Sequence, residues 1–152
     1  MYPMLFNAFF ERVYTFEPDP LSFFCLVNNC QYGNVYKFNC ALSHRPGYVD
    51  IIETDQPDNR GMNRVREVQL PSFPSMPLDS LKLDGVNLIQ LDLEGFEHWA
   101  LLGAQKTIEH NEPMIIVEAD LNLPHIKKVL EPMGYMLLQQ LTKTDHVFVM
   151  KK

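Results

Sequence analysis

Three short apolar runs in this chain, VYTFE, LIQLD and IIVE, each end in a carboxylate: Glu17, Asp92 and Glu118. The middle run continues into LEGFEHWALLGA, which places Asp92, Glu94 and Glu97 within six residues. An apolar run of this length reads as a buried strand, and a charge is seldom left in such surroundings without a partner. Acids at the tips of neighbouring strands can receive ribose hydroxyls, hold a cation through oxygen ligands, or take protons from a substrate. In open α/β sheets the ligand lies outside the carboxyl ends of the strands, so Glu17, Asp92 and Glu118 are expected to converge on one cleft. Taken singly, each acid is equally well read as the point where a strand meets water.

The remaining reactive side chains carry weaker signals. Glu97 falls in the first turn of a helix starting after Gly95, where the helix dipole favours a negative side chain by about 0.3–1 kcal/mol, so a structural role is expected. His98 is adjacent and could act as a base, but neighbours on a helix do not share a face, and a surface or capping role is the better reading. His44, in the loop after the second strand, is similar. Cys25, Cys30 and Cys40 are odd in number and lack CxxC spacing, which fits reduced thiols packed as small hydrophobes. Zinc held by Cys30, Cys40 and His44 is the minor alternative.

The elements that must position these groups alternate short strands with amphipathic helices, the rhythm of an α/β sheet covered by helices. Arg12 to Glu17 is the first strand. The helix after it starts at Asp19 as cap and Pro20 as first residue, with Phe23, Val27 and Cys30 as its inner stripe. Asn34 to Leu42 is a second strand, and YVDII, after the turn RPG, returns as a hairpin partner or sheet extension. Residues 53–77 are polar and Pro-rich, apart from a short strand at Val65 to Leu70, and read as a loop insert suited to a substrate loop or lid. LDSLKL is a short helix. Val86 to Asp92 is a third, central strand. Phe96, Trp99, Ala100, Gly103, Ala104 and Ile108 make one helical face, with Gly103 permitting close approach to the sheet. Pro113 to Ala119 is a fourth strand, HIKKVLEPMGY a helix ending near Gly134, and YMLLQQL with HVFVM an antiparallel pair about the turn TKTD.

At 152 residues with 46% apolar content the chain is read as one domain, 1–152, with its own core. A net charge of −6 without a Lys/Arg run argues against nucleic acid as a partner and leaves small molecules. No apolar run has the length of a membrane span, and MYPMLFNAFFERVY lacks the layout of a signal peptide, so a cytoplasmic location without a membrane partner is expected.

In order and spacing, VYTFEPDP, the LVNN helix, VYKFNCAL, LDSLKLDGVNLIQLDLEGFEHWALLGAQKTI and PMIIVEAD resemble the FkbM-type S-adenosylmethionine-dependent methyltransferases, from about Val13 to the closing strands. The resemblance implies a Rossmann-like methyltransferase fold, with a mostly parallel sheet and a terminal antiparallel strand. It also implies S-adenosylmethionine as cofactor, with transfer of its methyl to oxygen on a small-molecule or sugar acceptor. Glu17 then matches the acid that holds the ribose hydroxyls, and Asn39, Ala41 and Leu42 the segment lining the adenine. Asp92 and Glu94 match the block beside the methyl donor, where a carboxylate orients the acceptor or takes its proton. A magnesium-assisted version would use Asp92 with Glu118 or Asp120.

The same resemblance marks a departure. Members of that family carry a first strand and a D-x-GA-x-x-G turn ahead of FEP, whereas MYPMLFNAFFERVYT contains no glycine and fits only the helix after that turn. The chain is therefore read as N-terminally incomplete. That strand would lie between the FEP and LIQLD strands, so the sheet must close differently, borrow a strand, or leave two unpaired edges that invite association. The expectations that follow are a homo-oligomer, or a second chain supplying the strand, around an active site. The alternatives are a degenerate binding protein, or a fragment of a longer or split methyltransferase.

Overall fold

A computed structural model describes residues 2–52, 64–67 and 73–151. Strands β1 (Val13–Phe16) and β2 (Val35–Phe38) form a parallel pair in which Val13 lies opposite Val35 and Phe16 opposite Phe38. Between them runs α2 (Pro20–Asn29), started as the sequence predicts: the Asp19 carboxylate accepts from the Ser22 amide at 2.8 Å, and Pro20 opens the first turn. Its inner stripe differs from the expected one. Leu26 and Cys30 are buried against Val13 and Val35, with Phe23 and α1 (Tyr2–Phe6) closing the cluster, whereas Val27 is exposed.

The expected strand from Asn34 to Leu42 is two strands in two sheets. Asn39 turns its side-chain amide back onto the Glu17 and Pro18 carbonyls (2.8 and 3.2 Å), which ends the ladder with β1. The chain then enters β3 (Ala41–Leu42), which pairs in parallel with β6 (Phe73–Met76). β6 also pairs with β4 (Gly47–Ile52), and β4 with β5 (Arg64–Glu67), giving the sheet order β3-β6-β4-β5. YVDII thus extends this sheet and does not return on β2. Within the stretch 53–77, residues 64–67 and 73–76 are strands, and residues 53–63 and 68–72 lie outside the described residues.

The third sheet has the order β7-β8-β10-β9, built from β7 (Leu88–Leu91), β8 (Met114–Glu118), β9 (Tyr135–Gln140) and β10 (Asp145–Met150). β7 and β8 run parallel, and β10 is antiparallel to both of its neighbours, so the antiparallel closing element is present. Ile115, Val117 and Phe148 from this sheet, Leu101 and Ile108 from the helices behind it, and Ile126 and Leu130 from α5 (Leu123–Leu130) make the largest core.

The long helix expected after Gly95 is two helices, α3 (Glu97–Leu102) and α4 (Gln105–Asn111), broken at Gly103 and Ala104. Two contacts account for the break. A Cβ on Gly103 would fall 2.0 Å from the Ser43 carbonyl oxygen, so only glycine lets the β3 loop pass there. Asp79, from the turn Leu78–Leu81, then starts a fresh helix by accepting from the amides of Lys106 and Thr107 at 3.1 and 2.8 Å. Among the described residues, no helix is long and apolar enough to cross a membrane.

Candidate active site

The β1–β2 pair and the β7–β8–β10–β9 sheet face each other across a cavity of about 360 Å³, walled by β1, β7, α1 and Leu42. Asp92 and Leu93 lie at its β7 end and Phe16 at its β1 end, with Glu17 one residue beyond. Phe16 and Asp92 thus border the same cavity, whereas Glu17 and Glu118 are not among its lining residues.

On the β1–β2 side, the Glu17 amide donates to the Phe38 carbonyl at 3.0 Å, and Glu17 Oε1 accepts from the Asp19 amide at 2.9 Å. Partial burial raises the Glu17 pKa, the Asp19 amide opposes that rise, and the Asp19 charge adds to it. Asn39 sits beside Glu17, tied to its carbonyl and exposed, so these two predicted residues are brought together. Leu42 lines the cavity. Ala41 is instead buried with Val49 and Phe96, facing the small-sheet core.

On the β7–β8 side, Asp92, Glu94 and Glu118 present oxygens that all lie within 4.8 Å of one another. Asp92 is open to the solvent of the mouth, yet its pKa is raised to about 7. Partial desolvation comes first among the causes, then the hydrogen bond and charge of Glu118, then the charges of Glu94 and Glu97. Carboxylates this close oppose one another's ionisation, and here Asp92 is the one that holds its proton more tightly than a free carboxyl. Glu118 Oε1 also accepts from the Thr144 hydroxyl at 3.1 Å, a contact carried by the β9–β10 turn. Such a set can hold a proton in transit or bind a divalent cation by oxygen. Asp120 is exposed and lies outside the converging set. Cys30, Cys40 and His44 do not converge either: Cys30 is buried against Val13, and the His44 ring packs at a tilt on Trp99, 4.6 Å between ring centres.

Glu97 holds this side of the mouth in shape. It is 1% exposed, and its Oε1 accepts from the amides of Leu93 and Gly95 at 2.9 and 3.0 Å while Oε2 accepts from the Asn122 side chain at 2.5 Å. Those bonds close the turn in which Glu94 and Gly95 take positive φ angles of 52° and 100°. The role is structural, as expected, but it acts by stitching a turn more than through the helix dipole. His98 lies against Trp99 and His125, its pKa lowered by burial and by the nearby His125 charge, with Glu97 opposing.

The sequence reading did not single out Asn122, Thr144 or Tyr2. Asn122 precedes Leu123 and Pro124 at a helix start, a legible cap position, although its amide goes to Glu97 instead. Tyr2 reaches the mouth from α1: its pKa is raised by burial and then by the charges of Asp145, Asp92 and Glu118. Nothing in its local sequence announces that.

The Methyltransferase FkbM domain matches residues 8–148, nearly the whole chain. The chain belongs to the FkbM methyltransferase family. A crystal structure of methyltransferase FkbM from Methylobacillus flagellatus KT has a similar fold, with a TM-score of 0.57 and 18% identity. That similarity covers 95% of this chain and 38% of the length of that one, and at this identity it speaks for the fold alone. No curated protein matches.

Proposed function

We propose that this chain binds S-adenosylmethionine across the mouth and supports transfer of its methyl group to a hydroxyl oxygen of a small molecule or sugar. The observation that carries the reading is the cavity between β1 and β7, which Phe16, Leu42 and Asp92 line, in a chain of the FkbM family; Glu17 with Asn39 follows Phe16 on one strand, and Glu94 and Glu118 cluster with Asp92 on the other side. The residues present suit the cofactor. A carboxylate with one oxygen fixed by a backbone amide is pre-oriented to accept from vicinal hydroxyls, each charge-assisted bond contributing about 1.5–3 kcal/mol. Leu42 and Phe16 offer apolar surface of the kind a purine ring covers.

When bound, the cofactor supplies an electrophilic methyl on a sulfonium. The chain's part is orientation and proton handling. Asp92, in its ionised form, takes the proton of the acceptor hydroxyl as that oxygen becomes nucleophilic, and its raised pKa, caused by burial and by Glu118 beside it, suits it to hold that proton. Glu94, held on the turn that Glu97 fixes, orients the acceptor. Alignment of the acceptor oxygen with the methyl carbon contributes most of the rate in such a transfer. Acceptor choice is assigned to the 53–77 stretch, which lies largely outside the described residues.

Titration of the purified chain with S-adenosylhomocysteine tests the reading. Binding in the micromolar range is expected, and Glu17→Gln is expected to weaken it at least tenfold with the fold intact. Unchanged affinity in that variant would remove Glu17 from the cofactor site. The converging oxygens of Asp92, Glu94 and Glu118 favour one second reading, in which these three would hold a magnesium ion that would supply Lewis-acid activation of the acceptor hydroxyl. Absence of a magnesium heat signal in the presence of S-adenosylhomocysteine would eliminate it.

A further inference from the structure

His98 on α3 and His125 on α5 lie side by side, their ring centres 5.8 Å apart and the rings tilted by 38°. The fold holds their backbones at that spacing. Glu97, the residue before His98, is buried and accepts from the Asn122 side chain at 2.5 Å, and the His125 amide donates to the Asn122 carbonyl at 2.9 Å. One buried bond thus ties the two helices together beside both imidazoles. Side chains carried on helices that are fixed to each other keep a set distance, as the ligands of a metal ion must.

The chemistry of the pair suits an ion. His98 Nδ1 is shielded from solvent and has no hydrogen-bond partner among the described residues. Burial first, then the imidazoles of His125 and His44, oppose a charge on His98, with the Glu97 carboxylate acting the other way. The neutral ring is therefore favoured, and that is the form that gives an electron pair to a metal. Two imidazoles sharing a tetrahedral ion, with bonds of about 2.0–2.1 Å, bring their ring centres to about 5 Å. His125 is exposed, so a small turn of its ring closes the difference. Imidazole selects zinc, nickel or copper over magnesium, whereas the Asp92–Glu94–Glu118 cluster offers only hard carboxylate oxygens.

We propose that His98 and His125 form a two-histidine site for a divalent transition-metal ion, which bridges α3 and α5 while water completes its coordination. The ion adds a second tie beside the Glu97–Asn122 bond, and so bears on the turn that carries Glu94. The proposal rests on the ring pair and the bond between the helices, and stands apart from the methyl-transfer reading.

Titration of the full, tag-free chain with nickel chloride, followed by heat and by tryptophan fluorescence, tests it. Trp99 is the single tryptophan and packs on the His98 ring at 4.6 Å between ring centres, so a paramagnetic ion held there is expected to quench it. The parent is expected to bind one ion with quenching. His125→Ala, at an exposed position, is expected to weaken binding at least tenfold with its metal-free melt unchanged, and His98→Ala to weaken it as much. Glu118→Gln, in the carboxylate cluster, and His110→Ala, which removes the exposed contact with Asp84 at 2.7 Å, are expected to bind as the parent does. Absence of binding by the parent would overturn the proposal, as would parent affinity in folded His125→Ala. A tenfold loss in His98→Ala alone would mean that the ion does not bridge the helices, which also overturns it. Loss in Glu118→Gln or His110→Ala, with both other histidine variants unaffected, would place the ion at that cluster and refute the two-histidine site.

Discussion

Replacement of Glu97 is the sharpest test of how the site is held. Its carboxylate is 1% exposed and receives three donors: the Leu93 amide at 2.9 Å, the Gly95 amide at 3.0 Å and the Asn122 side chain at 2.5 Å. Hydrogen bonds to a charged group contribute about 1.5–3 kcal/mol each, and removal of the acceptor leaves buried donors that cost about 1–3 kcal/mol apiece. The exposed backbone at Gly95 lets water recover part of this. Glu97→Ala is therefore expected to cost about 3–5 kcal/mol, which in a domain of this size lowers Tm by roughly 6–20 °C. Glu97→Gln keeps the shape and one oxygen for the two amides but sets its own NH2 against that of Asn122, so a loss of about 1–2 kcal/mol is expected. Exposed Glu109→Ala, on α4, serves as the control and is expected to stay within about 0.5 kcal/mol. Urea melts of the three variants read these values directly. A loss below about 1 kcal/mol for Glu97→Ala would refute the stitching role and return Glu97 to a simple helix-start charge.

Asp92 predicts a pH dependence of definite sign. Its pKa is raised to about 7 in the folded chain against about 3.9 unfolded, so the folded state binds the extra proton, and this contribution to stability is complete below about pH 4 and lost as pH rises through 7. The acid is open to solvent, which screens the effect to about 1 kcal/mol. Asp92→Asn is thus expected to melt roughly 2–4 °C higher than the parent at pH 8 and to converge with it near pH 4; no difference at pH 8 would contradict the carboxylate crowding. Methyl transfer is expected to rise through the same pH, and a flat profile from 6 to 8 would argue against Asp92 as the base. Gly103→Ala is expected to lose about 3 kcal/mol or more in urea melts because its Cβ meets the Ser43 carbonyl at 2.0 Å, and a neutral result would mean that the β3 loop can move aside.

Legibility in the sequence followed the range of the interaction concerned. Asp19 and Pro20 start α2 through contacts three residues apart, and such local chemistry can be read along the chain. The three acid-ended runs gave Glu17, Asp92 and Glu118 positions at strand tips because alternation and length are also local. What failed was decided across the fold. Val27 and Leu26 are both apolar on α2, and only the placement of β1 and β2 selects Leu26 as the inner one. The Asn34–Leu42 run has the composition of one strand, but Asn39 folding back onto β1 cuts it in two. The α3–α4 break depends on Ser43 and Asp79, which are 60 and 24 residues from Gly103. Tyr2 reaches the carboxylates only through the direction of α1.

The proposed site draws on two separate sheets, so its chemistry depends on how they are held relative to one another. Glu17 and Asn39 belong to the β1–β2 pair, Asp92 and Glu118 to the other sheet, and the backbone groups between them at Tyr14, Phe16, Leu88 and Gln90 face the cavity. Each half has its own buried cluster, Val13 with Leu26 and Cys30 on one side and the Ile115–Phe148 core on the other. On the proposed reading, a cofactor that contacts Glu17 at one end and reacts beside Asp92 at the other senses the distance between the halves directly. Shifts of about 1 Å in such alignment can cost about a hundredfold in rate. On that reading Glu17 and Asn39 bind from one half and Asp92 acts from the other, so Asp92→Asn is expected to lower kcat at least tenfold while affinity for S-adenosylhomocysteine stays within about threefold. Parallel losses in both would place binding determinants on the Asp92 side as well.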